Sequence, residues 1–450
     1  MLGFGAATPG KPFRAQARPP TNATTRLLRP EGAYVMADKA RRKEAETGRA
    51  CVHLELGQPS FETPAHVLDA GVRALTTGDT KYTAAAGTAR LRESIAASYA
   101  PIEVSASEVV VGPGAKPGLW FALQAVIEQG DAVIYPDPGT SAGRRRRARV
   151  LPSETLRRTD ARPPARPRWS SSAGFPSYGN SIVAFGGVPR PVALNEGGTC
   201  FDMAALRAAL EPQQDFLMPS RARVILLNSP SNPTGGVMTR AELEAVAALA
   251  VEHDCIVISD EIYSRLVYDD EGGSAPGAIL AMPGMRERCV VVDGFSKTFC
   301  MTGWRLGWAV MPEELARHVE LLLMHSVGCT CAFTQAAGVA ALGGPMDHVH
   351  EMREEYRRRR DFVVGALNAM DGVSCRRPQG AFYAFPDVSR LSMSSAELAD
   401  HLLEHHEVAV LPGDDFGAQG RGFLRLSYVS DMPTLERGME RLARAFSALS

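Results

Sequence analysis

Lysine is scarce in this chain of 450 residues, which has 6 lysines against 43 arginines. It also lacks any run of 18 apolar residues, which excludes a predicted transmembrane helix. The eight cysteines form no paired framework, so a disulfide scaffold is excluded, and a metal site is not expected because no cysteine or histidine pair has a spaced second half. The formal net charge of −1 gives no reason to expect nucleic acid or a membrane surface as a partner. The composition therefore predicts a globular protein of two or three domains.

The setting of one of these few lysines suggests chemistry. Lys297 follows residues 289–293, an apolar run that predicts a buried strand, and Arg305 comes eight residues later. A lysine between buried elements is costly to bury in its charged form, so its pKa falls and its amine can act as a nucleophile. An arginine at a fixed distance offers a planar fork that suits a phosphate. A lysine beside a phosphate-binding group is what a pyridoxal-phosphate Schiff base requires.

The stretch Ser296-Lys-Thr-Phe-Cys-Met-Thr-Gly-Trp-Arg-Leu-Gly307 resembles the cofactor-lysine signature of class I and II aminotransferases. Cys300 departs from that signature, which usually has a smaller residue there. Five motifs follow the family's order across residues 33–139 and 175–446, and their wording is closest to the aspartate and aromatic aminotransferase branch. The resemblance implies pyridoxal-phosphate fold type I, an α/β fold with a mostly parallel central sheet sandwiched by helices and a smaller α+β domain.

Strand–helix alternation over residues 108–310 independently predicts a mostly parallel sheet with helices on both faces. We expect a large cofactor domain over residues 71–315. The smaller domain is expected to combine residues 31–70 with residues 320–450. The resemblance also implies a homodimer whose active sites are shared between the two subunits.

A glycine turn between a predicted strand and a helix includes Gly114 and Ala115. Backbone amides at a helix start can bind an anion, so these two residues are candidates to cradle the cofactor phosphate. Lys116 matches a lysine that contacts the distal carboxylate of the substrate in an aspartate- and prephenate-type subgroup. A lysine that merely caps the turn is the alternative.

Three more candidates lie at the ends of predicted strands. Asn232, in Asn-Pro-Thr-Gly, resembles the family residue that reaches the 3′-oxygen of the cofactor and lies near the substrate carboxylate. Asp260 ends an apolar strand, where parallel sheets place chemistry, and can pair with the pyridinium nitrogen. Tyr263 follows within reach of the same 3′-oxygen.

The remaining candidates come from the resemblance alone. Arg425 is expected to clamp the substrate α-carboxylate, and Gly57 is expected to let the backbone approach that carboxylate. Phe175 is expected to stack on the cofactor ring, Tyr82 to reach the cofactor phosphate of the partner subunit, and Ser296 to contact the cofactor.

Two segments depart from the rest of the chain. Residues 1–30 contain no acidic residue and several arginines, which is typical of an organelle transit peptide or a disordered tail. A plastid or mitochondrial location follows from the first interpretation and a cytoplasmic one from the second. Residues 140–174 hold ten arginines and two acids, which predicts a disordered basic insertion within the large domain, either genuine or a retained intron. A basic loop for RNA or an acidic partner is the alternative.

The predicted function is transfer of an amino group between an L-amino acid, aspartate or glutamate or an aromatic one, and a 2-oxo acid. A C–S lyase, an enzyme similar to aminocyclopropane-carboxylate synthase and a non-catalytic regulatory paralogue are the alternatives.

We further expect a strand over residues 181–191 and a solvated helix face at residues 357–360.

Overall fold

The computed structural model describes residues 21–22, 24–140, 177–215, 218–268 and 275–449. Phe175, residues 1–20 and nearly all of the predicted insertion at 140–174 lie outside this part, so their proposed structure and roles stay predictions. Within the described residues, no helix has both the length and the apolar character needed to cross a membrane.

The strands and helices follow from local sequence signals that the structure preserves. The strands are β1 Val52–His53, β2 Val109–Gly112, β3 Ala132–Thr140, β4 Val188–Leu194, β5 Gln213–Asp215, β6 Met218–Ser220, β7 Ala222–Asn228, β8 Ile256–Asp260, β9 Cys289–Gly294, β10 Gly307–Val310, β11 Tyr383–Ala384, β12 Val408–Ala409, β13 Leu411–Pro412 and β14 Leu424–Ser427. The helices are α1 Gly32–Thr47, α2 Ala65–Thr76, α3 Ala89–Ala97, α4 Ala115–Val126, α5 Ser177–Ala184, α6 Met203–Leu210, α7 Arg240–Glu252, α8 Phe295–Thr298, α9 Glu313–Met324, α10 Ala332–Gly343, α11 Asp347–Asn368, α12 Ser395–His406 and α13 Met432–Ser447. Capping boxes start α7 at Thr239 and α12 at Ser394, and the side chain of Asp202 caps α6.

The largest sheet in the described part of the chain has seven strands in the order β2-β10-β9-β8-β7-β3-β4. Strands β9, β8, β7, β3 and β4 pair in parallel, whereas β10 runs antiparallel to both of its neighbours. The residues of β2 and β9 are buried throughout, as strands covered on both faces require. The predicted fold class, a mostly parallel sheet sandwiched by helices, is therefore confirmed.

Hydrophobic clusters cover both faces of this sheet, and a third cluster forms away from it. The third cluster is built from α1, β1 and the chain from Met352 onward, and it also includes Tyr263, Leu266 and Tyr268. Helices α9 and α10, by contrast, pack in the clusters on the large sheet. The side chain of Tyr263 thus extends from the large sheet into the third cluster, while the exact domain boundaries stay a prediction.

The strand predicted over residues 181–191 is wrong in its first half. Helix α5 occupies residues 177–184, with Tyr178 and Ile182 buried one turn apart, and β4 begins only at Val188. A short run rich in β-branched residues cannot be assigned to a strand or a buried helix from its period alone.

The solvated face predicted at residues 357–360 is wrong for two of its four arginines. Arg360 is completely buried, with its guanidinium 4.4 Å from the ring centroid of Tyr268 and Nη1 donating to the carbonyl of Pro378. Arg359 is buried against the rings of Phe61 and Tyr356. Long arginine stems can cover apolar surface, so a charged pattern alone did not reveal which side of α11 is buried.

Candidate functional site

Four strand ends meet at one edge of the large sheet. The carboxyl ends of β7 and β8 pair there as Asn228 with Asp260, and the ends of β2 and β9 both pair with Gly307 at the start of β10. Strand β10 starts at this edge and runs antiparallel to β9, so the chain leaves the sheet and enters it again at the same edge. The segment between β9 and β10, which carries Lys297 and Arg305, therefore lies at this edge of the sheet.

Lys297 lies on the one-turn helix α8 directly after β9 and is partly buried. Its Nζ donates to the carbonyl of Gly57 at 2.5 Å and lies 5.7 Å from the ring centroid of Phe382. Burial, together with the positive charges of Arg425, Arg305 and Lys116, lowers the pKa of Lys297 to about 8. An amine of this kind is partly neutral near physiological pH and can act as a nucleophile.

Asp260 lies at the carboxyl end of β8 and accepts a hydrogen bond from the hydroxyl of Tyr178 at 2.7 Å. Burial raises the pKa of Asp260, whereas the hydrogen bond from Tyr178 and the charge of Lys116 act in the opposite direction. A buried carboxylate favours a cationic partner. Nothing in the sequence indicated the contact of Tyr178 with Asp260.

The turn between β2 and α4 forms a close pocket of backbone against Arg305. Gly114 has φ +108°, and a Cβ there would lie 2.5 Å from Nη2 of Arg305. A Cβ on Gly307 would lie 2.4 Å from the amide nitrogen of Ala115, the first residue of α4. Arg305 itself has φ +53° and donates to the carbonyls of Thr302 and Pro113. The helix start and the guanidinium thus face the same small volume, an arrangement suited to an anion.

Arg425 is buried on β14, and its guanidinium lies 4.6 Å from the ring centroid of Tyr383. It donates to the side-chain oxygen of Asn232 at 3.3 Å and to the backbone carbonyl of Glu55. Its Nε is buried without a hydrogen-bond partner among the described residues. Burial lowers the pKa of Arg425. A buried N–H group without a partner carries a desolvation cost that a bound carboxylate would offset.

Tyr263, which follows β8, and Tyr383 on β11 contact each other inside the site. Their hydroxyl oxygens lie 2.7 Å apart, and both rings are buried. A Cβ on Gly57 would lie 1.8 Å from the hydroxyl oxygen of Tyr383, so only glycine fits there. The sequence did not point to Tyr383, because no local signal connects it with Tyr263.

Three other predicted site residues, Lys116, Ser296 and Tyr82, differ in how they lie relative to the site. Lys116, which the resemblance places at the distal carboxylate of the substrate, forms an ion pair with Glu31 at 2.5 Å. Ser296 is buried next to Lys297 on α8. Tyr82 is 96% exposed, so this chain alone gives its ring no enclosing surface. The structure thus brings Lys297, Asp260 and Arg425 together with their neighbours and leaves Tyr82 outside.

The chain matches the family model described as aminotransferase class I and II over residues 49–141 and 159–442. The interruption falls inside the predicted insertion. The chain is 32% identical over 431 residues to the aspartate aminotransferase of Geobacillus stearothermophilus, covering 94% of this chain and 97% of that protein.

Solved structures agree with this match. The aspartate aminotransferase of Thermus thermophilus with maleate has a TM-score of 0.80 at 33% identity, covering 95% of this chain and 100% of that chain. The aromatic aminotransferase of Pyrococcus horikoshii OT3 has a TM-score of 0.76 at 33% identity, covering 92% of this chain and 99% of that chain.

Proposed function

The chain belongs to the class I and II aminotransferase family and is a pyridoxal-phosphate-dependent transaminase, and we propose which of its residues perform the reaction and on which substrates. The proposed reaction moves an amino group between an L-amino acid, either a dicarboxylic or an aromatic one, and a 2-oxo acid. When bound, pyridoxal phosphate supplies an electrophilic carbon and a ring that accepts the electrons released at the substrate α-carbon.

The side chains at the edge of the large sheet fit that cofactor. The amine of Lys297, with its pKa lowered to about 8, suits covalent attachment, and the buried carboxylate of Asp260 suits a protonated ring nitrogen. The glycine cradle at Gly114 and Ala115 faces Arg305, and together they suit a phosphate. Tyr263, Ser296 and Asn232 are proposed to contact the cofactor as well.

Lys297 is proposed to move the proton at the substrate α-carbon. Its amine accepts that proton in its neutral form and returns it in its charged form, and a pKa of about 8 keeps both forms accessible. Asp260, oriented by the hydroxyl of Tyr178, holds the opposite charge. The carbonyl of Gly57 lies within 2.5 Å of the amine and fixes its direction in the free protein.

Arg425 is proposed to bind the substrate α-carboxylate, with Asn232 and Gly57 beside it. The observation that carries this proposal is its buried Nε without a partner among the described residues. The 3.3 Å bond to Asn232 is long, so a carboxylate can replace it at little cost and accept from the guanidinium in bidentate fashion.

We also propose a homodimer with shared active sites. Tyr82 is 96% exposed, and helix α2 exposes Leu68, Val72 and Leu75, a combination that favours a covered surface. A second copy of the chain would cover this face and supply Tyr82 to the phosphate end of its partner's site.

An absorption spectrum with added pyridoxal phosphate tests the central role of Lys297. We expect a visible band that shifts when an amino donor is added, and we expect Lys297→Ala to lose the band. Lys39→Ala is the matched control, because Lys39 is an exposed lysine that pairs with Asp400 on α12. Detection of the 2-oxo acid of the donor supports transamination, whereas ammonia and pyruvate would indicate a lyase. A band retained in Lys297→Ala would contradict the proposal.

A further inference from the structure

The segment before α1 is held against α5, the helix that carries Tyr178 of the candidate site. The side chain of Asn180 on α5 binds both backbone groups of Arg29, accepting from its N–H at 3.2 Å and donating to its carbonyl at 2.9 Å. Attachment to the fold therefore begins before residue 31, earlier than the sequence predicted. From Gly32 the chain continues as α1, which ion pairs tie to α12 through Lys39 and Lys43.

Glu31 is the last residue of this segment before α1, and its side chain contacts Lys116 and Ser177. One oxygen of its carboxylate accepts from Nζ of Lys116 at 2.5 Å and from the hydroxyl of Ser177 at 2.6 Å. Its side chain is 22% exposed, while that of Lys116 is 45% exposed. An ion pair this open to water is weak, so another carboxylate can replace Glu31.

The partners of Glu31 belong to the catalytic surroundings. The positive charge of Lys116 lowers the pKa of both Lys297 and Asp260. Ser177 immediately precedes Tyr178, which donates to Asp260. Lys297 therefore lies among the charges of Arg425, Arg305 and Lys116, and Glu31 already neutralises the last of these.

We propose that the carboxylate of Glu31 determines side-chain specificity, because it competes with the second carboxylate of dicarboxylic substrates for Lys116. This inference rests on the proposed function, in which Arg425 takes the α-carboxylate. A dicarboxylic substrate must displace Glu31 from Lys116, whereas an aromatic substrate leaves the pair intact. Glu31 thus shifts the preference of the site toward amino acids with uncharged side chains.

Binding of two non-reacting acids tests this proposal without requiring turnover. Maleate carries two carboxylates and 3-phenylpropionate carries one with an aromatic ring, and calorimetry gives the affinity of each for the protein with its cofactor. We expect Glu31→Gln to strengthen maleate binding by about two- to fivefold, the range set by a partly exposed ion pair, and to leave 3-phenylpropionate binding unchanged. In a Lys116→Gln background the same change should no longer affect maleate.

Two further variants separate specificity from a merely structural role. Asn180→Ala releases the backbone of Arg29 without touching Glu31, so a loosened segment should change the affinity of both acids alike. Glu46→Gln makes the same chemical change at an exposed position of α1 and should change neither.

Failure of the role proposed for Glu31 and failure of the proposed function would give different experimental results. Unchanged maleate affinity in Glu31→Gln, or equal changes for both acids, would overturn the role of Glu31. Absence of transamination in the unaltered protein, with normal binding of both acids, would count against the proposed function and leave the competition for Lys116 measurable. In steady-state assays of Glu31→Gln, the ratio of kcat/KM for aspartate to kcat/KM for phenylalanine should rise, relative to the unaltered protein, by the same factor as the maleate affinity.

Discussion

Replacing Gly57 with alanine should disturb the site through a single added methyl group. The new Cβ would lie 1.8 Å from the hydroxyl oxygen of Tyr383, 2.7 Å from its Cζ and 3.0 Å from its Cε1. Tyr383 cannot yield easily, because it is buried and its hydroxyl is hydrogen-bonded to that of Tyr263 at 2.7 Å. The backbone of Gly57 is held as well, since its carbonyl accepts from Lys297.

The expected loss follows from these contacts. Overpacking a filled interior costs about 1–3 kcal/mol, and separating the two hydroxyl groups adds about 0.5–1.5 kcal/mol. We therefore expect Gly57→Ala to lower the free energy of unfolding by about 2–4 kcal/mol, measured by urea unfolding. Titration with pyridoxal phosphate should also give a weaker visible band, because the carbonyl that orients Lys297 moves.

Two variants check the reasoning. Gly365→Ala is the matched control, because a Cβ at Gly365 meets nothing within 4 Å and alanine favours α11, so stability should rise by about 0.5–1 kcal/mol. In the double variant with Tyr383→Phe, removal of the hydroxyl should recover part of the loss. Unfolding of Gly57→Ala at the same urea concentration as the unaltered protein, with normal cofactor binding, would contradict the predicted clash with Tyr383.

Two other perturbations test buried carboxyl groups. Tyr178→Phe removes a hydrogen bond that lowers the pKa of Asp260, so cofactor affinity should fall by about tenfold, as the loss of a bond to a charged group implies. Tyr34→Phe is the control, because Tyr34 is 63% exposed. Equal cofactor affinities of Tyr178→Phe and the unaltered protein would refute the role of the Tyr178 hydroxyl. Burial raises the pKa of Glu261 from 4.5 to about 8, so the native state binds more protons than the unfolded state between these values and stability falls as pH rises through this window. Glu261→Gln should flatten that fall in urea unfolding measured across the window, and an unchanged slope would contradict the assignment.

The sequence predicted the parts of the site that depend on local order. Lys297 and Asp260 follow apolar strands, and the parallel arrangement of β8 and β9 brings the ends of those strands to one edge. Position along the chain and strand direction were sufficient to place them.

The remaining parts depend on contacts between distant segments, which no local pattern encodes. Tyr263 meets a partner 120 residues away, and Glu31 meets Ser177 at a separation of 146 residues. Lys116 lies in the first turn of α4, and its ion pair with Glu31 could be known only once α1 was positioned. The insertion and Phe175 lie outside the described residues and stay predictions.

The reversed strand β10 also bears on how the site assembles during folding. Because β10 returns directly beside β9, with Gly307 opposite Gly294, the connection carrying Lys297 and Arg305 closes as a short local loop. Short loops close at a low entropic cost and form early relative to long-range pairings. The nucleophile and the proposed phosphate-binding arginine can therefore reach their relative positions before Arg425, which depends on the last strand of the chain, arrives at the site.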